Sequence, residues 1–174
     1  GQKNIYMLKE LFKNVSNVTD FSKLPIPFMC IATNLESGKI EIFENGDLVS
    51  SIMASSAFPS LLDPVKIGDS LYIDGAMTVN YPSKPLKDKG IDIVIGVDLS
   101  QGLASREKLN SLVDILNQVI DFGIQKETKV QYKYTDINIH PDLNGFNATS
   151  YSDKNKILIS GFEEAKKYIN VLDT

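Results

Sequence analysis

Apolar residues recur at helical spacing at the start of the chain, with Ile5, Leu8, Leu11 and Phe12 on one face and Met7 and Val15 flanking them. This predicts an amphipathic helix from Ile5 to Val15. Pro25 and Pro27 then force an extended entry, because each lacks an N–H and restricts the residue before it. The period changes at Phe28, where a continuous apolar run to Ala32 has strand length and predicts a strand covered on both faces. Asn34 to Gly38 reads as a turn. Lys39 to Phe43 alternates as a half-exposed strand paired with the preceding one. After Asn45-Gly46-Asp47, the segment Leu48 to Ala57 places Leu48, Ile52 and Met53 on one helical face and ends in the small residues Ala54, Ser55, Ser56 and Ala57.

Leu71-Tyr72-Ile73 predicts a short strand, and Ser83-Lys84-Pro85 an N-cap opening a short helix that Gly90 closes. Ile91 to Leu99 is rich in β-branched residues and apolar on both faces, which predicts a central strand of a parallel sheet. From Glu107 to about Lys133, the residues Leu109, Leu112, Val113, Leu116, Val119, Ile120 and Ile124 form the stripe of a long amphipathic helix, expected to face the core. Thr135 to His140 alternates as a last strand with Ile137 and Ile139 on one side. Ser160-Gly161-Phe162-Glu163 has capping-box spacing and predicts a terminal helix that buries Ala165, Tyr168, Ile169 and Leu172. Strands alternating with helices predict an α/β fold, a largely parallel sheet sandwiched by helices, in a single domain over residues 1–174.

Composition narrows the function classes. The net charge is −4, the basic residues are dispersed and Arg106 is the sole arginine, so nucleic acid is not an expected partner. Cys30 is the lone cysteine and sits in an apolar run, as an inert buried thiol would. No apolar run reaches the length of a membrane span. The chain opens on Gly1-Gln2-Lys3-Asn4 with no start methionine and no visible signal peptide, and is expected to be part of a longer protein.

The chemistry concentrates in Tyr72-Ile73-Asp74-Gly75-Ala76, where an apolar strand delivers a carboxylate to the carboxyl edge of a sheet. There is one His, one Cys and no G-x-S-x-G in the chain. Two readings of Asp74 stand on the residues alone: a proton acceptor for a hydroxyl, or a side chain bonding the amides of its own turn. Gly75 is expected to supply backbone angles closed to other residues and to leave open access to the carboxylate. Asn80 is expected to brace the Asp74 loop, since an amide cannot act as a base. Ser55 and Ser56 lack the glycines of a nucleophile elbow. Asp98 ends the strongest predicted strand and is read as structural, and His140 as a strand-end or surface residue.

Four blocks together resemble the C-terminal half of a patatin-like phospholipase domain. They are Leu24-Pro25-Ile26-Pro27-Phe28 leading to Ala32-Thr33-Asn34-Leu35-Glu36-Ser37-Gly38; Ala54-Ser55-Ser56-Ala57-Phe58-Pro59; Ile73-Asp74-Gly75-Ala76 with Asn80-Tyr81-Pro82; and Gly90 to Asp98. The resemblance implies a serine acyl hydrolase of lipid esters with a Ser–Asp dyad. It puts the dyad acid at Asp74, within an Asp-Gly-Gly/Ala motif completed by Gly75 and Ala76. It also implies that the Gly-rich oxyanion loop and the serine elbow lie upstream of this segment, which alone would be inactive. The implied partners are a lipid or ester substrate, the missing N-terminal half and a membrane surface, and open strand edges would admit a second copy of the chain. No cofactor and no metal are implied. Bacterial relatives tilt the expected location towards secretion or membrane association. The rival readings are a non-catalytic binding or scaffold module of the same fold, and a nucleotide binder around Ile91 to Asp98 that lacks the required Gly-rich turn.

Overall fold

Short connections dictate the pairing in the N-terminal part of the chain. In the computed structural model, which describes residues 2–146 and 150–172, the chain divides into two compact units, Gly1–Asn80 and Tyr81–Thr174. In the first, α1 (Gln2–Leu11) precedes the strands β1 (Cys30–Asn34) and β2 (Ile40–Phe43). The turn between the two strands is closed by Asn34, whose Oδ1 accepts hydrogen bonds from the backbone N–H of Glu36 (3.1 Å) and Ser37 (2.9 Å). Gly38 then takes φ +65°, open to glycine at little cost. A connection this short permits only an antiparallel partner, with Ile31 opposite Ile42. Strands β3 (Val65–Ile67) and β4 (Ser70–Asp74) repeat the device around Gly68 and Asp69, with Val65 opposite Tyr72.

The main sheet therefore runs β2-β1-β4-β3 and is antiparallel throughout, because β4 also lies antiparallel to β1. This corrects the expected largely parallel sheet. The β1–β2 turn is legible in the sequence, but the β3–β4 hairpin is not, because β3, three residues long, leaves no usable period. Helix α2 (Leu48–Ser55) is capped by Asp47, whose carboxylate accepts from Ser50 N–H at 2.8 Å. It packs on the sheet through Ala54, which sits with Ala32 and Tyr72 in a cluster flanked by Phe43, Val65 and Ile67. The rings of Phe43 and Tyr72 meet edge to face at 5.2 Å.

Among the described residues, parallel pairing is confined to the second unit, where β5 (Ile95–Val97) lies beside β6 (Ile137–Ile139). Ile137 and Ile139, expected on one side of the strand, are both buried. The strand predicted over 91–99 is shorter, has a single partner and exposes Ile93, Ile95, Val97 and Leu99, so it is not central. Residues before it are held by backbone and side-chain hydrogen bonds alike, the Val94 carbonyl accepting from Asp136 N–H at 2.9 Å. Asp136 accepts from Val94 N–H at 2.7 Å, and Lys87 donates to the Asp92 carbonyl at 2.6 Å.

In α3 (Ser83–Asp88), Ser83 is not the N-cap expected; it lies inside the helix, and its hydroxyl donates to the Gln131 carbonyl at 2.6 Å. Helix α4 (Leu112–Gln131) starts at a capping box formed by Ser111 and Asp114, after a separate turn at Arg106–Lys108. Its buried residues are Thr128 and Gln131, whereas Leu112, Val113, Leu116 and Val119 are exposed, so the stripe does not face a core.

Helix α5 (Lys154–Lys166) begins well ahead of the predicted cap at Ser160, which lies within it. Ser160 instead donates its hydroxyl to the Asp142 carbonyl at 2.6 Å. Of the stripe expected there, Ala165 and Tyr168 are half-buried and Ile169, opening α6 (Ile169–Leu172), is exposed. The Leu172 side chain lies outside the described residues. Among the described residues, no helix is long and apolar enough to cross a membrane.

Candidate active site around Asp74

Strand β4 ends on Asp74, which leaves the sheet with φ −47° and ψ 134° and caps a single 3-10 turn, Gly75–Met77. Its Oδ1 accepts a hydrogen bond from Ala76 N–H at 2.9 Å. Among the described residues, the other carboxylate oxygen has no hydrogen-bond partner. The two readings of this residue are thus geometrically compatible, since one oxygen serves the turn while the other stays open. Burial pushes the Asp74 carboxyl above the ordinary aspartate range, and the Ala76 hydrogen bond only partly offsets the rise.

The backbone around the carboxylate is pinned on both sides. Asp74 N–H donates to the carbonyl of Ala57 at 3.0 Å, which brings the small-residue end of the Ala54–Pro59 block against it. The Asp74 carbonyl accepts from the Thr33 hydroxyl at 3.0 Å. Thr33 Oγ1 in turn lies 3.0 Å from Thr78 Oγ1, and Thr78 reaches the Gly75 carbonyl at 3.3 Å. Two threonines from β1 and the post-strand turn thus brace the loop. Asn80, expected in that role, is exposed and makes no hydrogen bond to the turn among the described residues. Nothing in the sequence marks Thr33 or Thr78, because the register of β1 against β4 is what brings them together.

Gly75 is required for a reason other than the one expected. Its φ is not in the left-handed region; instead a Cβ there would lie 2.5 Å from the Ile31 carbonyl oxygen and 3.0 Å from its carbon. The residue after the carboxylate is pressed onto the backbone of β1, and only a hydrogen fits. Ala76 is half-buried and supplies the amide that anchors the carboxylate.

Two further nucleophile candidates, Ser56 and Cys30, are unarmed. The Ser56 hydroxyl donates back to the Ile52 carbonyl at 2.8 Å, an ordinary helix-end contact. Cys30 is half-buried, and burial pushes its thiol up to about 11, far from a thiolate at neutral pH. In the second unit, Asp98 is buried beneath the Tyr132 hydroxyl and Ser100, with His140 Nδ1 at 3.4 Å. Burial raises its carboxyl, but these hydrogen bonds and His140 outweigh that and hold it below the ordinary range.

Comparison with known proteins places the Asp74 loop in a family context. Residues 4–87 match the model of the patatin-like phospholipase family, so the resemblance read from the sequence blocks is borne out over that stretch, and the Gly90–Asp98 block lies beyond it. An uncharacterized NTE family protein of Mycobacterium tuberculosis is 32% identical over 101 residues, which is 56% of this chain and 28% of that protein. Lysophospholipase NTE1 of Debaryomyces hansenii is 33% identical over 84 residues, 48% of this chain and 5% of the fungal protein. The same-named protein of Cryptococcus neoformans is 32% identical over 74 residues, 42% of this chain and 5% of its own. The matched part of the chain therefore spans under a third of the length of these relatives.

Proposed function

We propose that this chain, whose residues 4–87 carry patatin-like phospholipase sequence, supplies the catalytic aspartate of a lipid acyl hydrolase of the lysophospholipase type. In this reading, a serine from sequence outside these residues attacks a glycerolipid or lysophospholipid ester, and Asp74 accepts its proton. As the acyl-enzyme forms, Asp74 passes that proton to the departing alcohol of the lipid; it then accepts a proton from the water that attacks the acyl-enzyme and returns it to the serine as the fatty acid leaves. Gly75 and Ala76 hold the acid in place, and Asn80 marks the end of its loop.

The observation that carries this reading is the division of labour on the carboxylate, with one oxygen fixed by Ala76 N–H and the other open in a half-buried setting. A carboxylate at its ordinary pKa of about 4 is a weak base in water. Partial burial makes it a stronger one, and anchoring limits the entropy lost in aligning it. The second compact unit belongs, on this reading, to the same C-terminal portion of the hydrolase.

The test is to join the chain to its serine-bearing sequence and measure hydrolysis of lysophosphatidylcholine. Replacing a general base should cost about 10²–10⁴-fold in kcat, so Asp74→Asn should lose that much without a fall in Tm. Turnover within a few-fold of the parent would leave Asp74 a structural turn residue and favour a non-catalytic module.

A further inference from the structure

The carboxyl ends of β5 and β6 open onto a cleft within the second unit that the hydrolase reading does not use. Because the two strands are parallel, Val97 and Ile139 are paired and the residues that follow them, Asp98 and His140, emerge side by side; Asp98 N–H donates to the Ile139 carbonyl at 2.9 Å. Ligands of parallel sheets gather at this edge. The cleft has a volume of about 520 Å³, within the range of small-molecule sites.

Its lining combines hydrogen-bonding groups of both polarities. Ser100, Gln125, Lys129, His140, Asp142 and Asn144 all border it. Among the described residues, the Gln125 amide makes no hydrogen bond and the Lys129 ammonium no ion pair, so both retain their full capacity. His140 Nδ1 lies toward Asp98, 3.4 Å away, and the ring is half-exposed. Asp98 itself is 1% exposed and tied to Tyr132 and Ser100, so it serves as a fixed anchor for the imidazole.

An independent feature marks the floor. Thr128 borders the cleft, is 2% exposed, and its hydroxyl has no hydrogen-bond partner. A buried hydroxyl left unpaired costs free energy, and such groups in folded proteins ordinarily have a partner. In a helix, threonine could have turned back onto a carbonyl of the preceding turn; here it does not.

We propose that this cleft binds a small, uncharged polyhydroxy compound, one of whose hydroxyls pairs with Thr128. The chemical class follows from the lining. The unpaired Lys129 ammonium is opposed by the Asp142 carboxylate, while Glu164 is already paired with Lys167, so a ligand of either charge would meet a group of its own sign. A hydroxyl both donates and accepts, and therefore satisfies amide, carboxylate, ammonium and imidazole neighbours alike.

The test is an amide chemical-shift titration of the whole chain with myo-inositol, with inorganic phosphate and sodium chloride as separate arms. Saturable shifts at Gln125, Thr128 and Asn144 with myo-inositol, and none with phosphate, are expected. Thr128→Val should weaken that binding by about tenfold, the worth of one well-placed hydrogen bond. In the free chain the same variant should keep or raise Tm, since it removes an unpaired hydroxyl, so lost binding is separable from lost folding. No saturable shift, binding unchanged in Thr128→Val, or a response to phosphate equal to that to myo-inositol would each overturn the proposal. These outcomes are independent of ester hydrolysis at Asp74.

Discussion

Asp74 carries opposing demands that can be read out without any substrate. Its carboxyl is raised by burial, so the native state holds the proton more tightly than the unfolded chain does. Native stability therefore falls as pH rises from the ordinary aspartate value, about 4, through the raised one. Asparagine keeps an oxygen for Ala76 N–H but carries no charge to desolvate. Asp74→Asn should accordingly melt above the parent at pH 7, and the two should converge below about pH 4, where the parent acid is protonated. Melting curves by circular dichroism across that range check this, and an Asn variant that melts lower at pH 7 would place the carboxylate's value in ion pairing instead. Gly75 makes a second test. A methyl group there meets the Ile31 carbonyl oxygen at 2.5 Å, a backbone atom that cannot swing aside, so β1 and the turn after β4 must part locally. Gly75→Ala should cost about 1–3 kcal/mol, the usual range for overpacking, measured by urea denaturation. The Asp-Gly-Ala sequence announced a special glycine, but its reason, a close approach across the sheet, depends on a register that no local pattern encodes.

At the scale of elements, what could be read from the chain was whatever depends on neighbours in sequence. The β1–β2 pair was legible because the turn residues lie between its strands, and the inward side of β6 because two isoleucines alternate. Ile91 to Leu99 misled because β-branched residues report what fits a pleated surface, not how many strands adjoin it. The capping box was misplaced at Ser160 since the same spacing occurs inside α5, whereas Ser111 and Asp114 form a real one. Asp98 was read as structural, and its surroundings show how it joins elements. It links the end of β5 to Tyr132, just past α4, and to His140, just past β6. Burial and the Asp98 hydrogen bond together push the Tyr132 hydroxyl up to about 12, so it stays a donor at all working pH values. Asp98→Ala would remove the acceptor of the Tyr132 hydroxyl and of Ser100 N–H in a half-buried place. The expected cost is about 2–3 kcal/mol, read from near-ultraviolet circular dichroism during urea unfolding. Because the Asp98 carboxyl is held below its unfolded value, this contribution is present above about pH 4 and fades as pH falls through the depressed value.

For the molecule as a whole, the second unit turns an unusual amount of apolar side chain outward. Ile93, Ile95, Val97 and Leu99 of the β5 segment are exposed, as are Leu112, Leu116 and Val119 of α4 and Leu158, Ile159 and Phe162 of α5. Single exposed apolar residues need no explanation, but runs along one strand and two helices lower solubility unless something covers them. Strand β5 adds a second liability, since its pairing with β6 alone leaves backbone groups of one side outside any ladder. The net charge of −4 on 174 residues offers only weak repulsion against association. The chain studied alone should therefore self-associate with rising concentration. Ile93 and Leu99 flank the ladder residues 95–97, so lysine there adds charge to the edge without removing a β5–β6 hydrogen bond. The double variant Ile93→Lys, Leu99→Lys should stay monomeric at concentrations where the parent does not, as measured by light scattering after gel filtration, with an unchanged far-ultraviolet spectrum. Equal association of the two proteins would shift attention from the β5 edge to the outward faces of α4 and α5, where Leu116→Lys and Phe162→Lys make the corresponding comparison.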